Sequence, residues 1–187
     1  MGRVISAGLM SVDGYIADKR GNFDWAMPDE EVHSFVNSLQ RSVGTFLYGR
    51  RMYEVLKVWQ TLDVRGEPEA MRDYATLWRA ADKIVYSSEL TEVSTPRTRL
   101  ERHFDPDSLV ALKKSADRDI AISGPGLASG AIRAGLVDEY QLFVFPVVVG
   151  GGTRFFPDDA TLHLELTEQR LFAGGVLFLR YRPCVRE

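Results

Sequence analysis

The chain has a single cysteine, Cys184, in 187 residues. One thiol cannot build an intrachain disulfide framework, so the core must hold the fold and a reducing compartment suits it. Apolar runs are short, and none approaches the roughly 18 residues that cross a bilayer. The opening Met1-Gly2-Arg3 leads into strand-like residues rather than a charged and apolar leader. Neither secretion nor membrane insertion is therefore expected, and a cytoplasmic location is. Basic residues are not in excess: the net charge is −3 and the isoelectric point about 5.7. That excludes a broad nucleic-acid surface but leaves room for a local anion pocket. His33, His103 and His163 are scattered, so no metal cluster is expected. Repeats and low-complexity tracts are also missing.

What is present suffices for one domain over residues 1–187, since 45% of the chain is hydrophobic. Residues 4–9 read as a buried strand, Ser11-Val12-Asp13-Gly14 as a turn and Lys19-Arg20-Gly21-Asn22 as an exposed loop tip. Asp29-Glu30-Glu31 open a helix whose apolar positions are Val32, Phe35, Val36, Leu39 and Val43. Residues 45–48 form a strand that Gly49 turns into a helix carrying Met52, Tyr53, Leu56 and Trp59. After a loop at 61–68, Met71, Tyr74, Ala75 and Trp78 mark another helix. Then come a strand at 83–86 ending at Ser87-Ser88, a short strand at 98–102 and a helix at 106–114. A strand at 120–122 follows, with Gly135 as the C-cap of the next helix. Residues 140–149 are a long apolar run read as a central strand. Pro146 inside it is expected at a bulge or an edge, because proline lacks a ladder donor. Residues 162–171 and 176–181 read as a strand pair joined at Gly174-Gly175. This alternation predicts an α/β fold of three layers, with a mostly parallel central sheet, an antiparallel C-terminal strand and helices on both faces.

The most informative stretch is Ile122-Ser123-Gly124-Pro125-Gly126-Leu127, where a strand meets a glycine turn and a helix start. Amides at a helix start lack intrahelical partners, and the dipole favours an anion there. Glycine lets a phosphate approach the backbone closely. The run is not a G-x-G-x-x-G fingerprint, because Ser129 stands where the third small turn residue belongs. No Gly-Lys-Ser/Thr follows to make a Walker loop. Arg50 and Arg51 stand at another helix start, where they oppose the dipole, and an anionic partner would relieve that conflict. A plain turn and a solvated helix end are the alternatives from these residues alone.

Five pieces, in order, carry a resemblance. They are Ser11-Val12-Asp13-Gly14-Tyr15-Ile16-Ala17, Trp25-Ala26-Met27-Pro28, Gly49-Arg50-Arg51-Met52-Tyr53-Glu54, Ser87-Ser88, and Gly152-Thr153-Arg154-Phe155-Phe156-Pro157-Asp158. Over nearly its whole length the chain resembles the dihydrofolate reductase superfamily. It is most similar to the reductase domain of riboflavin biosynthesis and its stand-alone relatives. The resemblance implies the dihydrofolate-reductase-like form of the three-layer fold, NADPH as cofactor, and hydride transfer to a small heterocyclic substrate. It implies Leu9 and Ile16 beside the nicotinamide. Arg50, Arg51, Ser87 and Ser88 would hold the 2′-phosphate, and the 123–127 turn (Ser123, Gly124, Pro125, Gly126, Leu127) the diphosphate. Gly49, Met52 and Thr153 would also bind the cofactor. Trp25, Phe35 and Arg154 become candidates for the substrate. For the acid, counting from Pro28 selects Glu30 and counting back from Phe35 selects Glu31. Helical phase favours Glu31, expected buried with a raised pKa; the alternative is a solvated first-turn acid. Asp13 is a second candidate, or else a turn residue beside Gly14. The implied substrate is 5-amino-6-(5-phosphoribosylamino)uracil. Pterin reduction and a non-catalytic nucleotide-binding module are the alternatives. No H-x-E with P-C-x-x-C deaminase signature accompanies the domain. A homodimer is expected, with the 140–149 run near a sheet edge.

Overall fold

In a computed structural model that describes residues 1–184, the predicted alternation closes into one main sheet. The elements run β1 (Val4–Ser11), β2 (Tyr15–Ala17), α1 (Glu30–Gln40), β3 (Val43–Gly49), α2 (Arg50–Leu56), α3 (Val58–Thr61), α4 (Glu69–Ala80), β4 (Asp82–Tyr86) and β5 (Thr98–Glu101). They continue α5 (Pro106–Ser115), β6 (Asp119–Ser123), α6 (Pro125–Arg133), β7 (Glu139–Phe145), β8 (Thr153–Arg154), β9 (Leu164–Leu171) and β10 (Leu177–Pro183). The sheet order is β5-β4-β3-β6-β1-β7-β10-β9. Pairs from β5 through β7 are parallel, and β10 runs against both β7 and β9.

Side-chain alternation assigns the layers. Phe46 and Tyr48 of β3 pack with Tyr53 of α2 and Trp78 of α4. Leu47 between them packs with Leu109 of α5 and Leu127 and Ile132 of α6. Strand register carries the first face across the sheet to Phe143 of β7, where Val32 of α1 covers it. So α1–α4 lie on one face, and α5 and α6 on the other. Trp78 is the largest of the fully buried side chains among the described residues, and such burial stabilises by about 3 kcal/mol.

The helices start and stop where local chemistry directs. Asp29 caps α1 by accepting the Val32 N–H at 2.9 Å. Gly135, at φ +65°, ends α6 with paired bonds from its own N–H to Ile132 O and from Leu136 N–H to Ala131 O, both 3.0 Å. At the edge formed by the strand N-termini, Arg3 ties β6 and β7 to β1, reaching Asp119 at 2.7 Å and Glu139 at 3.0 Å.

Four expectations change. Pro146 makes neither bulge nor edge: β7 stops at Phe145, and the proline ends it. The helix after Gly49 breaks at Lys57, so Trp59 belongs to α3, packing 4.9 Å from Tyr74. The Arg79 guanidinium donates to Trp59 O at 2.7 Å and Leu62 O at 2.8 Å, taking carbonyls a longer helix would use. Residues 153–154, read only as loop, pair with β2 as a two-stranded ribbon. Finally, β7 is flanked by β1 and β10, so its apolar run presents no free edge for a dimer; the edges are β5 and β9. No helix among the described residues is long and apolar enough to cross a membrane.

Candidate functional site

β3 and β6 are adjacent and parallel, yet the helices that follow them leave on opposite faces. Such a reversal opens a crevice at the carboxyl ends of the strands. Here both strands end in glycine turns, and the turns abut. A methyl added at Gly124 would lie 3.6 Å from Gly49 N and 3.7 Å from Met52 Cβ. Gly124 has φ +98° and ψ 118°, a conformation that favours glycine, and it starts α6 without a side-chain cap. Gly126, in the first turn, is exposed, and apart from its chain neighbours and its own helix backbone no atom lies within 4 Å of the point a methyl would occupy. Ser123 pairs in register with Tyr48, while Leu127 is buried beneath the turn beside Gly49. Pro125 contributes no N–H, and its carbonyl accepts the Ser129 hydroxyl at 2.6 Å.

Next to these turns lies a cleft of about 710 Å³ lined by Asp18, Lys19, Arg20, Gly21, Arg51, Gly152 and Thr153. Arg51 and Thr153 thus come together. Arg50 does not join them: its guanidinium meets Glu89 at 3.3 Å, beside Ser88. The Ser87 hydroxyl oxygen accepts the N–H groups of Glu89 at 3.1 Å and Leu90 at 3.0 Å, so it closes its own turn. Ser88 is exposed. Leu9 and Ile16 fall into different apolar clusters, Leu9 with Phe143 under α1 and Ile16 with Met10 and Phe155.

The carboxylates differ most from expectation. Glu31 is not buried: its Oε1 accepts the Arg170 guanidinium at 2.8 Å, and both side chains are 45% exposed. The phase argument put Glu31 at the border of the apolar face, but that border meets β9, and Arg170 fills it. Asp13 clamps a loop. Its Oδ1 accepts the Ser11 hydroxyl at 2.7 Å and the Val149 N–H at 3.1 Å, and its Oδ2 the Gly150 N–H at 2.8 Å. These donors, Ser11 foremost, hold its carboxyl down at about 2. A general acid needs the opposite shift from that of Asp13, and Glu31 is paired on the surface rather than buried. Phe35 does not present a free stacking face either. It packs 4.9 Å from Phe178 and 5.4 Å from Phe172, with the Arg170 guanidinium over its ring. Arg154 turns outward to Asp158 at 3.0 Å and lies over Tyr15. Trp25 lines a smaller groove of about 260 Å³ with Met27, Pro146 and Val147, and its Nε1 is buried without a partner.

Residues 3–178 match the family model of the RibD C-terminal domain. The chain belongs to that family. The uncharacterized protein YyaP of Bacillus subtilis is 29% identical to it over 182 residues, 96% of this chain and 94% of YyaP. A deaminase/5-amino-6-(5-phosphoribosylamino)uracil reductase of Thermotoga maritima matches with a TM-score of 0.67 at 15% identity, over 98% of this chain and 57% of that one. Dihydrofolate reductase of Enterococcus faecalis, solved with NADP(H), matches with a TM-score of 0.63 at 13% identity, over 97% and 96%. The fold is therefore dihydrofolate-reductase-like.

Sequence reading missed Lys19, Arg20 and Gly152 in the cleft. Lys19 and Arg20 looked like an ordinary solvated loop tip. The available signal was the run Gly150-Gly151-Gly152, all at positive φ, which brings the 150–152 loop against residues 17–19.

Proposed function

We propose that this chain is an NADPH-dependent reductase of the riboflavin-pathway type. Its substrate is a small pyrimidine-like heterocycle carrying a phosphorylated sugar, with 5-amino-6-(5-phosphoribosylamino)uracil as the first candidate, reduced at the ribosyl group. The observation that carries this reading is the meeting of the Gly49 and Gly124 turns at the reversal point, with α6 starting uncapped. Backbone N–H groups and glycine surface fit a diphosphate there, and the Cβ-free space at Gly126 admits close approach. Arg50, beside Ser88, would hold the 2′-phosphate, which then competes with Glu89 for the guanidinium.

When bound, the reduced nicotinamide supplies the hydride. The chain's own groups bind, orient and exclude water. Met52 and Leu127 wall the glycine turns. The Asp13 clamp holds the β1–β2 turn against the 149–150 loop. With Asp13 engaged in the loop clamp and Glu31 paired on the surface, we assign the proton to neither of them. The same facts weigh against pterin reduction, in which Glu31 would accept a ring N–H and Phe35 would stack on the pterin.

Calorimetric titration with NADPH and absorbance at the reduced-nicotinamide band test the reading. Heat on binding, and absorbance loss on adding the phosphoribosyl substrate, are expected. An absence of NADPH binding removes it. Binding without oxidation across pyrimidine and pterin panels leaves a nucleotide-binding module.

A further inference from the structure

The cleft beside the glycine turns holds more positive charge than the turns explain. Lys19, Arg20 and Arg51 share it with one acid, Asp18. That acid serves the loop itself: Asp18 Oδ1 accepts the N–H groups of Arg20 at 2.7 Å and Asn22 at 2.9 Å. Among the described residues, Lys19 and Arg51 make no ion pair, whereas the neighbouring Arg50 reaches Glu89. The α6 turn offers amides but no cation, since Gly124-Pro125-Gly126-Leu127 contains no basic residue.

The backbone that carries Lys19 is closed on itself, while the lysine side chain is exposed. The loop closes through Asp18 N–H to Asn22 O at 2.9 Å and Gly21 N–H to Asp18 O at 3.0 Å. The end of the Lys19 side chain lies against Gly151, at φ +141°, where a methyl would be 2.5 Å from Lys19 Cε. Gly152, at φ +135°, sits so close to Ala17 O that a methyl would lie 2.1 Å away. Three exposed cations thus line one concave surface, which attracts an anion.

We infer that Lys19, Arg20 and Arg51 form a phosphate seat that shares no lining residue with the α6 turn, and that Lys19 is a binding residue for a phosphate ester. This rests on the reading of a phosphorylated coenzyme and substrate given above. Two sources present the same chemistry: the coenzyme's diphosphate and the substrate's sugar phosphate.

Calorimetry on the whole chain and on Lys19→Gln, Lys19→Arg and Arg51→Gln separates them, with thermal melts as the folding control. The probes are NADPH alone and ribose 5-phosphate added to NADPH-saturated protein. Lys19→Gln is expected to weaken one probe about tenfold, the usual scale of one charge-assisted hydrogen bond, and to lessen its salt dependence. Lys19→Arg should restore most of it. Loss confined to NADPH assigns the seat to the coenzyme; loss confined to ribose 5-phosphate assigns it to the substrate. Affinities for both probes within about twofold of the parent, in Lys19→Gln and Arg51→Gln alike, overturn the seat. Should the parent bind no NADPH, the coenzyme reading fails by itself. Ribose 5-phosphate and inorganic pyrophosphate then test the seat alone: binding that Lys19→Gln abolishes upholds it, and no binding overturns it.

Discussion

Replacing Gly126 with alanine should move stability and coenzyme affinity in opposite directions. Gly126 is exposed in the first turn of α6 with open space where a methyl would stand, so the folded chain accepts alanine without a clash. Alanine loses less backbone entropy than glycine, worth about 0.5 kcal/mol at this helix end. For a chain of this size that raises Tm by about 1–2 °C. The same methyl lies on the surface a diphosphate must approach. Displacing the phosphate from one or two amides removes about 1.5–3 kcal/mol, or roughly 10- to 100-fold in NADPH affinity. Gly124→Ala is the contrast. A methyl there has ordinary contact distances of 3.6–3.9 Å, but φ +98° is strained for alanine, and such strain destabilises by about 1–3 kcal/mol. Urea melts and calorimetry on both variants provide the readouts. A Gly126→Ala protein that is stabilised yet binds NADPH as tightly as its parent would refute close approach of a phosphate to this turn.

Other perturbations test the remaining assignments. Glu31→Gln breaks a half-exposed ion pair with Arg170; stability should change by less than about 1 kcal/mol and turnover by less than about twofold. A large drop in kcat would return Glu31 to the mechanism. Asp13→Asn should destabilise the protein at neutral pH. Because folding lowers the Asp13 carboxyl from 3.8 to about 2, its contribution is complete above pH 4 and fades as pH falls through 2. Urea midpoints of parent and variant should therefore converge over that interval, and parallel curves would contradict the clamp. Lys83 is buried in β4, its ammonium donating to Trp78 O at 2.9 Å and Ala81 O at 2.7 Å and lying 4.3 Å from the Trp78 ring centre. Burial lowers its pKa from 10.5 to about 8, so protonation opposes folding below that window. Relative to Lys83→Met, the parent should gain stability between pH 8 and 10.5; a constant difference would show that the ammonium keeps its full charge when folded.

Much of the architecture was legible because it follows from local periodicity. Apolar positions 32, 35, 36 and 39 make α1 helical whatever it packs against, and glycine turns mark the ends of β3 and β6. The Gly135 cap is a local motif and was equally readable. Errors arose where a side chain's fate depends on a distant partner. The phase of α1 placed Glu31 at a border, but only strand order puts Arg170 of β9, 139 residues away, on that border. Asp13 beside Gly14 reads as a turn acid, and nothing local shows that the 149–150 amides will bind it. The 140–149 run reads as a central strand, which pairing of β7 with β1 and β10 bears out, but the same order denies it the edge expected for a dimer.

The sequence by itself determined most of the strands, helices and glycine turns, because those choices rest on interactions within a few residues; the β2–β8 ribbon and the break at Lys57 came from distant partners. Tertiary structure alone decided that the Gly49 and Gly124 turns meet, that Arg50 and Arg51 part company, and that Lys19 joins Arg51 across a cleft. The physical reason is the β5-β4-β3-β6-β1-β7-β10-β9 order. Charges interact through space, and that order, rather than chain position, sets which of them are close.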